Sequence, residues 1–491
     1  MAGEVKQLVK HGTVYTAGTV LSRLVSFLLI PLYTNYLTPA EYGILELLGL
    51  TIDIVATIVG VAMTMAVMRF YHKYDSVERQ NRAVSSALIG TATLMAVATA
   101  ICFALSSQIS LLVFDSTEYQ FYFQLMFGSM FLSSGVEIPM VFYRARLRSM
   151  AVVVISLVKL VIQLSLNIYF LVFLDKGVEG VLYSGVISAA LISAYMVFTT
   201  FREIGIHFSW PLYKEMLLFG APLLVADLSI FALTYADRYF LNHYANLTSV
   251  GLYSIAFKFA IVVSLLYSSP FRAIWGVQMY EFAKQDNRAE LFGRVATYFL
   301  MGALTISLGL SVFTKDALRV MSEESFWSAY HLVPVLCITF VLKGLIAITG
   351  AGILIESKTK YKAISTTVAM IVALLLNYLL IPRWGGYGAA TAGLLAMSVR
   401  LGIDAFYSQR LLRVDYQWAK IFQISGMYIL AVVASHYIDI ENIYYSIAAN
   451  AGVMLAFAIA VYFSPFLSGD DRQMVRLIIR RPSEAIRIIR G

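Results

Sequence analysis

The sequence predicts an all-α integral membrane protein of about 14 transmembrane helices. Two parallel six-helix repeats form N and C lobes, and two extra helices follow at the C-terminal end. Three observations predict this class: a lipid-like composition, a charge bias between alternate loops, and glycines that recur at one offset.

Of the 491 residues, 59% are hydrophobic and 13% charged. Mean hydropathy is +0.76. A water-soluble chain of this length would carry about 25% charge. Apolar runs of about 20 residues, each long enough for a hydrocarbon core of about 30 Å, follow one another with short breaks. In order they are span 1 (12–34), span 2 (43–68), span 3 (83–105), span 4 (119–141), span 5 (150–174), span 6 (179–201) and span 7 (217–240). Then come span 8 (249–270), span 9 (291–313), span 10 (328–350), span 11 (363–382), span 12 (386–408), span 13 (418–437) and span 14 (443–463). Met1 to Lys10 is polar and the first run is full length, so no cleavable signal is expected. Cys102 and Cys337 fall inside spans, with no disulfide framework or metal-ligand spacing.

The net charge is +8, and its distribution speaks against a nucleic-acid partner. Of 37 Lys and Arg, five fall in one set of alternate loops: Lys176, Arg238, Lys315, Arg319 and Arg383. Seven lie in or at the edge of spans: Arg23, Lys159, Lys258, Arg294, Lys343, Arg400 and Lys420. The other 25 sit in the opposite loops and the two ends. By the positive-inside rule both termini are expected in the cytoplasm, in a multi-pass protein of the plasma (inner) membrane. The basic tail 464–491 alternates Arg with Ile and Leu, as a solvated tail or an amphipathic segment on the anionic leaflet.

Gly12 and Gly43 are 31 residues apart, as are Gly220 and Gly251, and the offset between these pairs is 208. The same offset relates Tyr36 to Tyr244, Gly177 to Gly385, Gly180 to Gly388 and Gly185 to Gly393, while Asn167 meets Asn377 at 210. The domains expected are therefore an N lobe (1–201), a cytoplasmic linker (202–216), a C lobe (217–410), spans 13 and 14 (411–463) and the tail. Halves with an even number of spans share one orientation. Transporters of that construction bind between the halves and alternate access by rocking.

Ionisable groups in lipid are costly and face bundle interiors or wet cavities. Gly12, Thr16, Thr19, Arg23 and Ser26 form one polar stripe on span 1. Glu46, Gly49, Asp53, Thr57, Gly60 and Thr64 form another on span 2, and Ser156, Lys159, Gln163 and Asn167 a third on span 5. Arg23 and Asp53 reach similar depth, as a buried helix–helix pair or as an anion-binding cation with a modulating acid. The second half adds Asp227, Asp237, Lys258, Lys343, Arg400 and Asp404, the last two at i,i+4 spacing suited to a local pair. Glu137 and Pro139, at the exit of span 4, suit a loop anchor or a gate. Phosphate-loop, HExxH, CxxC and nucleophile-elbow motifs are absent from the sequence, so no enzyme activity is expected.

The stretch "LTPAEYG", Leu37 to Gly43, resembles the turn after the first span of polysaccharide flippases. These export O-antigen and exopolysaccharide repeat units, within the multidrug/oligosaccharidyl-lipid/polysaccharide (MOP) superfamily. "YADRYFLNHY" with "VGLYSIAFKFA", and "WGGYGAATAG" at Trp384 to Gly393, are similar to the family's seventh-to-eighth and twelfth-span motifs. The resemblance implies two lobes around a cationic cavity and a cargo of undecaprenyl-diphosphate-linked oligosaccharide moved from inner to outer leaflet. Arg23, Lys159, Lys258 and Lys343 would hold the headgroup by charge-assisted hydrogen bonds, with Gln163 and Asn167 as polar cavity lining. Glu46, Asp53, Asp227, Asp237, Asn377 and Thr391 would couple or gate transport. The coupling ion is sodium, at Asp237, Asn377 and Thr391, or a proton, at Glu46 or Asp53. No other cofactor is implied; the partners implied are membrane lipids, a glycan polymerase and chain-length machinery. A cation-coupled multidrug exporter of the same superfamily is the alternative.

Overall fold

In the computed structural model, the residues described are 27, 29–60, 63–438 and 440–464. Arg23, the rest of the span 1 stripe, the polar start and most of the basic tail lie outside them. Among the described residues the regular structure is helical throughout. Among the described residues twelve helices are long and apolar enough to cross a membrane, so the chain is a multi-pass membrane protein. The longest, Lys360–Leu411, has 52 residues and breaks at Gly385 (φ 51°, ψ −126°), between spans 11 and 12.

The opening turn has a local cause. Thr38 and Glu41 form a reciprocal capping box: Glu41 Oε2 accepts the Thr38 backbone N–H (2.8 Å), and Thr38 Oγ1 accepts the Glu41 N–H (3.2 Å). Pro39 begins the helix Pro39–Gly60, where its missing N–H costs nothing. Tyr42 is buried, edge-on to Phe326. Gly43 follows at a backbone contact: a Cβ there would collide with the Leu247 carbonyl oxygen, and a Cβ on Gly251 with that of Pro39. Each glycine thus meets the residue four before the other, a reciprocity that a two-fold axis through the contact would produce. Asn246, in an Asn-Leu-Thr sequon, caps the facing helix Leu247–Val263 by accepting from Ser249 N–H (2.8 Å).

Other glycines related by the offset occupy matching places. Gly177 and Gly385 both adopt positive φ (52° and 51°). A Cβ on Gly180 would press on Phe170, and one on Gly388 on Leu380. Asn167 and Asn377 are both buried, each with an Oδ1 that accepts no hydrogen bond among the described residues.

By contacts the chain divides into two units. Unit 1 comprises 1–255, 321–328 and 366–393; unit 2 comprises 256–320, 329–365 and 394–491. Within unit 1, span 7 (helix Trp210–Tyr244) packs on span 2, where Thr51 and Tyr239 share a hydrogen bond (3.0 Å). Arg238, grouped with loop cations by sequence, is instead fully buried in this helix. Its Nη1 donates to Asp237 Oδ1 (2.7 Å); both residues lie inside the helix, which continues to Tyr244.

In unit 2, buried polar bonds fasten spans 13 and 14 to span 9. Tyr428 bonds to Ser307 (2.8 Å), while Asp316 accepts from Ser446 Oγ (2.7 Å) and Asn450 Nδ2 (2.9 Å). Asp404, expected to pair with Arg400, accepts instead from Lys362 Nζ (2.8 Å) and Ser365 Oγ (2.6 Å). The start of the span 11 helix lies beside the end of span 12, so two donors reach the carboxylate directly.

Candidate functional site

Unit 1 holds a polar cavity of about 340 Å³. Asp53 of span 2, Glu137 of span 4 and Asp227 of span 7 contribute carboxyl groups, and Thr57, Thr64, Thr91 and Tyr235 contribute hydroxyls. The span 2 stripe places Asp53, Thr57, Gly60 and Thr64 on this one wall, as its helical phase requires. Glu137 belongs here rather than to a loop: helix Gln120–Ala145 continues past it, and Ser134 and Glu137 face the cavity one turn apart. Glu46 and Glu137 both act electrostatically on Asp53. Lys159 of span 5 acts on Glu137 but does not line the cavity, and neither do Gln163 or Asn167. Asn167 donates to the Tyr33 hydroxyl (2.8 Å). Among the described residues no three acidic, His or Cys side chains converge closely enough to share one metal ion.

Asp237 has both oxygens engaged: Oδ1 accepts from Arg238, and Oδ2 from the Tyr253 hydroxyl (2.5 Å). Arg238 also stacks over the Tyr253 ring, 4.9 Å from its centroid. Asn377 is buried and Thr391 half-buried, both in unit 1.

Unit 2 gathers cations. Lys343 of span 10 lies within electrostatic reach of Arg272 and Arg400. The helix Ser269–Phe282 continues span 8 beyond its predicted end and carries Arg272 toward span 10. Two contacts hold it there. Trp275 Nε1 donates to the Ala347 carbonyl (3.1 Å), and Gly344 leaves room for Ser268. Arg272 donates to Ser269 Oγ (2.8 Å), and buried Arg400 Nε has no hydrogen-bond partner among the described residues. Asp404, the nearest acid to act on Arg400, is already engaged by Lys362. This arrangement leaves donors for an incoming anion. Lys258 is half-buried on span 8 of the same unit. Sequence reasoning had set Arg400 aside as Asp404's helical neighbour and passed over Arg272 because it counts as a loop residue when span 8 ends at 270.

A family model described as polysaccharide biosynthesis protein matches residues 8–275, more than half of the chain. The chain belongs to the polysaccharide biosynthesis protein family. Over 248 residues this family member is 24% identical to a Shigella flexneri protein named as an O-antigen transporter, covering 49% of the chain and 57% of that protein. Over 200 residues it is 18% identical to a Haloferax volcanii protein named as the low-salt glycan biosynthesis flippase Agl15, covering 40% and 42%. The chain spans about half the length of these curated relatives. Among solved structures it is similar to the lipid II flippase MurJ in an inward closed conformation. There the TM-score is 0.73 at 13% identity, covering 92% of this chain and 99% of that one. It is also similar to an inward-facing multidrug resistance MATE transporter of the MOP superfamily, with a TM-score of 0.64 at 15% identity, covering 79% and 94%. This polysaccharide biosynthesis family protein therefore shares its fold with MurJ and that MATE transporter.

Proposed function

We propose that the protein is a flippase, not an enzyme, for undecaprenyl-diphosphate-linked oligosaccharide repeat units in the inner membrane. The observation that carries the reading is that Arg272 and Arg400 act electrostatically on Lys343, with the buried Arg400 Nε unpartnered among the described residues. A diphosphate headgroup cannot cross hydrocarbon unaided. Charge-assisted hydrogen bonds from these cations would replace its water. Arg272 and Arg400 lie toward the ends of their spans expected in the cytoplasm, where a cytoplasm-made glycan would arrive. Both termini lie in the cytoplasm in this reading, and glycan polymerase and chain-length proteins act downstream. The resemblance adds Arg23, Lys159 and Lys258 to Lys343 as headgroup cations.

Two tandem halves would do the moving. The reciprocal Gly43–Gly251 contact and the equal φ of Gly177 and Gly385 support that construction. Rocking of such halves alternates access. Coupling is assigned to the acidic cavity: Asp53, with Glu46, Glu137 and Asp227 around it, accepts and releases a proton as the halves move. A sodium ion at Asp237, Asn377 and Thr391 is the competing assignment. It would require Arg238 to give up Asp237.

Reconstituted liposomes carrying a fluorescent lipid-linked oligosaccharide test the reading. Transfer between leaflets that depends on Lys343 and Arg272 supports it; transfer equal to protein-free liposomes sinks it. The acidic cavity also favours a second reading, export of organic cations. Drug-resistance profiles of a deletion strain separate the two: loss of surface glycan with unchanged drug tolerance selects the flippase.

A further inference from the structure

Span 6 carries an apolar groove of about 730 Å³ at its end next to the linker. That volume is typical of a small-molecule site, about 300–1,000 Å³. Leu132 of span 4 and Ala190, Ala194, Val197 and Phe198 of span 6 line it. Spans 4 and 6 touch so closely at Gly135 that a Cβ there would collide with Ser193 Oγ. The mouth is built rather than loose. Gly205 turns the chain with φ 75°, and buried Ser85 and Ser86 accept the N–H groups of His207 (2.8 Å) and Ser209 (3.0 Å). Ile206 is thereby held at the rim, 73% exposed.

Arg202 stands at the same rim. Its neighbour Glu203 is engaged by Arg146 and Arg148, and among the described residues Arg202 has no ion-pair partner. Glu203 is thus taken up by two other arginines and leaves Arg202 uncompensated, at the end of the helix where the chain concentrates its Lys and Arg. An apolar slot beneath an uncompensated guanidinium is complementary to one molecule type in a bilayer: an anionic lipid with its chain in the slot and its phosphate on the cation.

We propose that this groove binds a single anionic phospholipid of the cytoplasmic leaflet, one acyl chain against Ala194 and Phe198 and the phosphate on Arg202. The site is separate from the cations assigned to the cargo, and its occupancy does not depend on what the cargo is.

The test uses the full chain in nanodiscs of phosphatidylcholine with a minor fraction of phosphatidylglycerol, read by native mass spectrometry after release. One phosphatidylglycerol is retained in preference to phosphatidylcholine. Arg202→Ala lowers that retention about five-fold, the worth of one basic side chain at an anionic surface. Arg202→Lys largely keeps it, and Ala194→Trp, which fills the slot, removes it. Both positions are exposed, so neither change disturbs packing, and unchanged melting temperatures check this. Equal retention of the two lipids, or phosphatidylglycerol retention unchanged in both Arg202→Ala and Ala194→Trp, overturns the proposal. So does displacement of phosphatidylglycerol by equimolar undecaprenyl phosphate, which would assign the groove to a carrier lipid.

Discussion

Replacing Gly43 by alanine changes one methyl group in a 491-residue chain, yet the structure predicts a large effect. The new Cβ would overlap the Leu247 carbonyl oxygen and sit 3.1 Å from its carbon and 3.2 Å from Gly251 N. All three are backbone atoms, so no rotamer change relieves the contact; the helices must part. Overpacking of this kind costs about 1–3 kcal/mol, and the upper end applies because nothing yields. Alanine returns about 1 kcal/mol of helix propensity. The net of about 2 kcal/mol shifts the population of the contact state about 30-fold. Spin labels at Tyr36 and Thr248, exposed beside the contact, report it as a distance distribution. Wild type gives one short distance, and Gly43→Ala adds a dominant longer one. Gly251→Ala does the same, and the double variant little more, since both methyl groups open one contact. Gly49→Ala, where a Cβ meets nothing within 4 Å, leaves the distribution unchanged. A single short distance in both Gly43→Ala and Gly251→Ala would refute the packing argument.

Lys362→Ala strands the fully buried Asp404 carboxylate and should cost about 3–5 kcal/mol. Thermal unfolding in detergent checks this, and Lys362→Ala with Asp404→Leu should recover most of the loss. Arg272→Ala and Lys343→Ala should each lower lipid-linked glycan transfer at least ten-fold, about 1.4 kcal/mol per lost charged contact, without lowering the melting temperature. Asp53→Asn should abolish the response of transfer to an imposed pH gradient while leaving exchange without a gradient intact. A retained response would move coupling away from this carboxylate.

The helical, membrane-spanning class and the polar wall of span 2 were legible because each depends on local chemistry. Period and hydropathy place Asp53, Thr57 and Thr64 on one face whatever packs against them. Glu137 was harder to read. Its identity gives no sign that the helix continues past it to Ala145. Arg272 was hidden by the same cause, since the span 8 helix runs through a π turn (Ser264–Ser268) and on to Phe282, beyond its apolar stretch. Asp404 illustrates the other limit. Helical spacing offered Arg400 at i−4, but the partner is Lys362, 42 residues away in sequence, and only tertiary packing brings it there. Gly43 shows how far a motif can be read: Thr38, Pro39 and Glu41 explain the turn locally, whereas the glycine is explained only by Leu247.

The sequence reads Arg23, Lys159, Lys258 and Lys343 as headgroup cations and Glu46, Asp53, Asp227 and Asp237 as coupling or gating groups, without assigning the two sets to separate places. The structure sorts them, with Asp53, Glu137 and Asp227 around a cavity of unit 1 and Arg272, Lys343 and Arg400 together in unit 2. That sorting bears on coupling. A proton and an anionic headgroup sharing one pocket would interact by direct neutralisation, and each would strengthen the other's binding in any conformation. If the proposed proton and headgroup are held by these different sets of residues, they influence each other by favouring different conformations of the chain. Such coupling is reciprocal. If protonation of Asp53 favours the state that releases glycan, then bound glycan must favour deprotonated Asp53 by the same factor. Proton release on addition of a lipid-linked diphosphate to detergent-solubilised protein, present in wild type and absent in Asp53→Asn, measures that factor directly. Equal proton release from both proteins would place the exchanging group elsewhere.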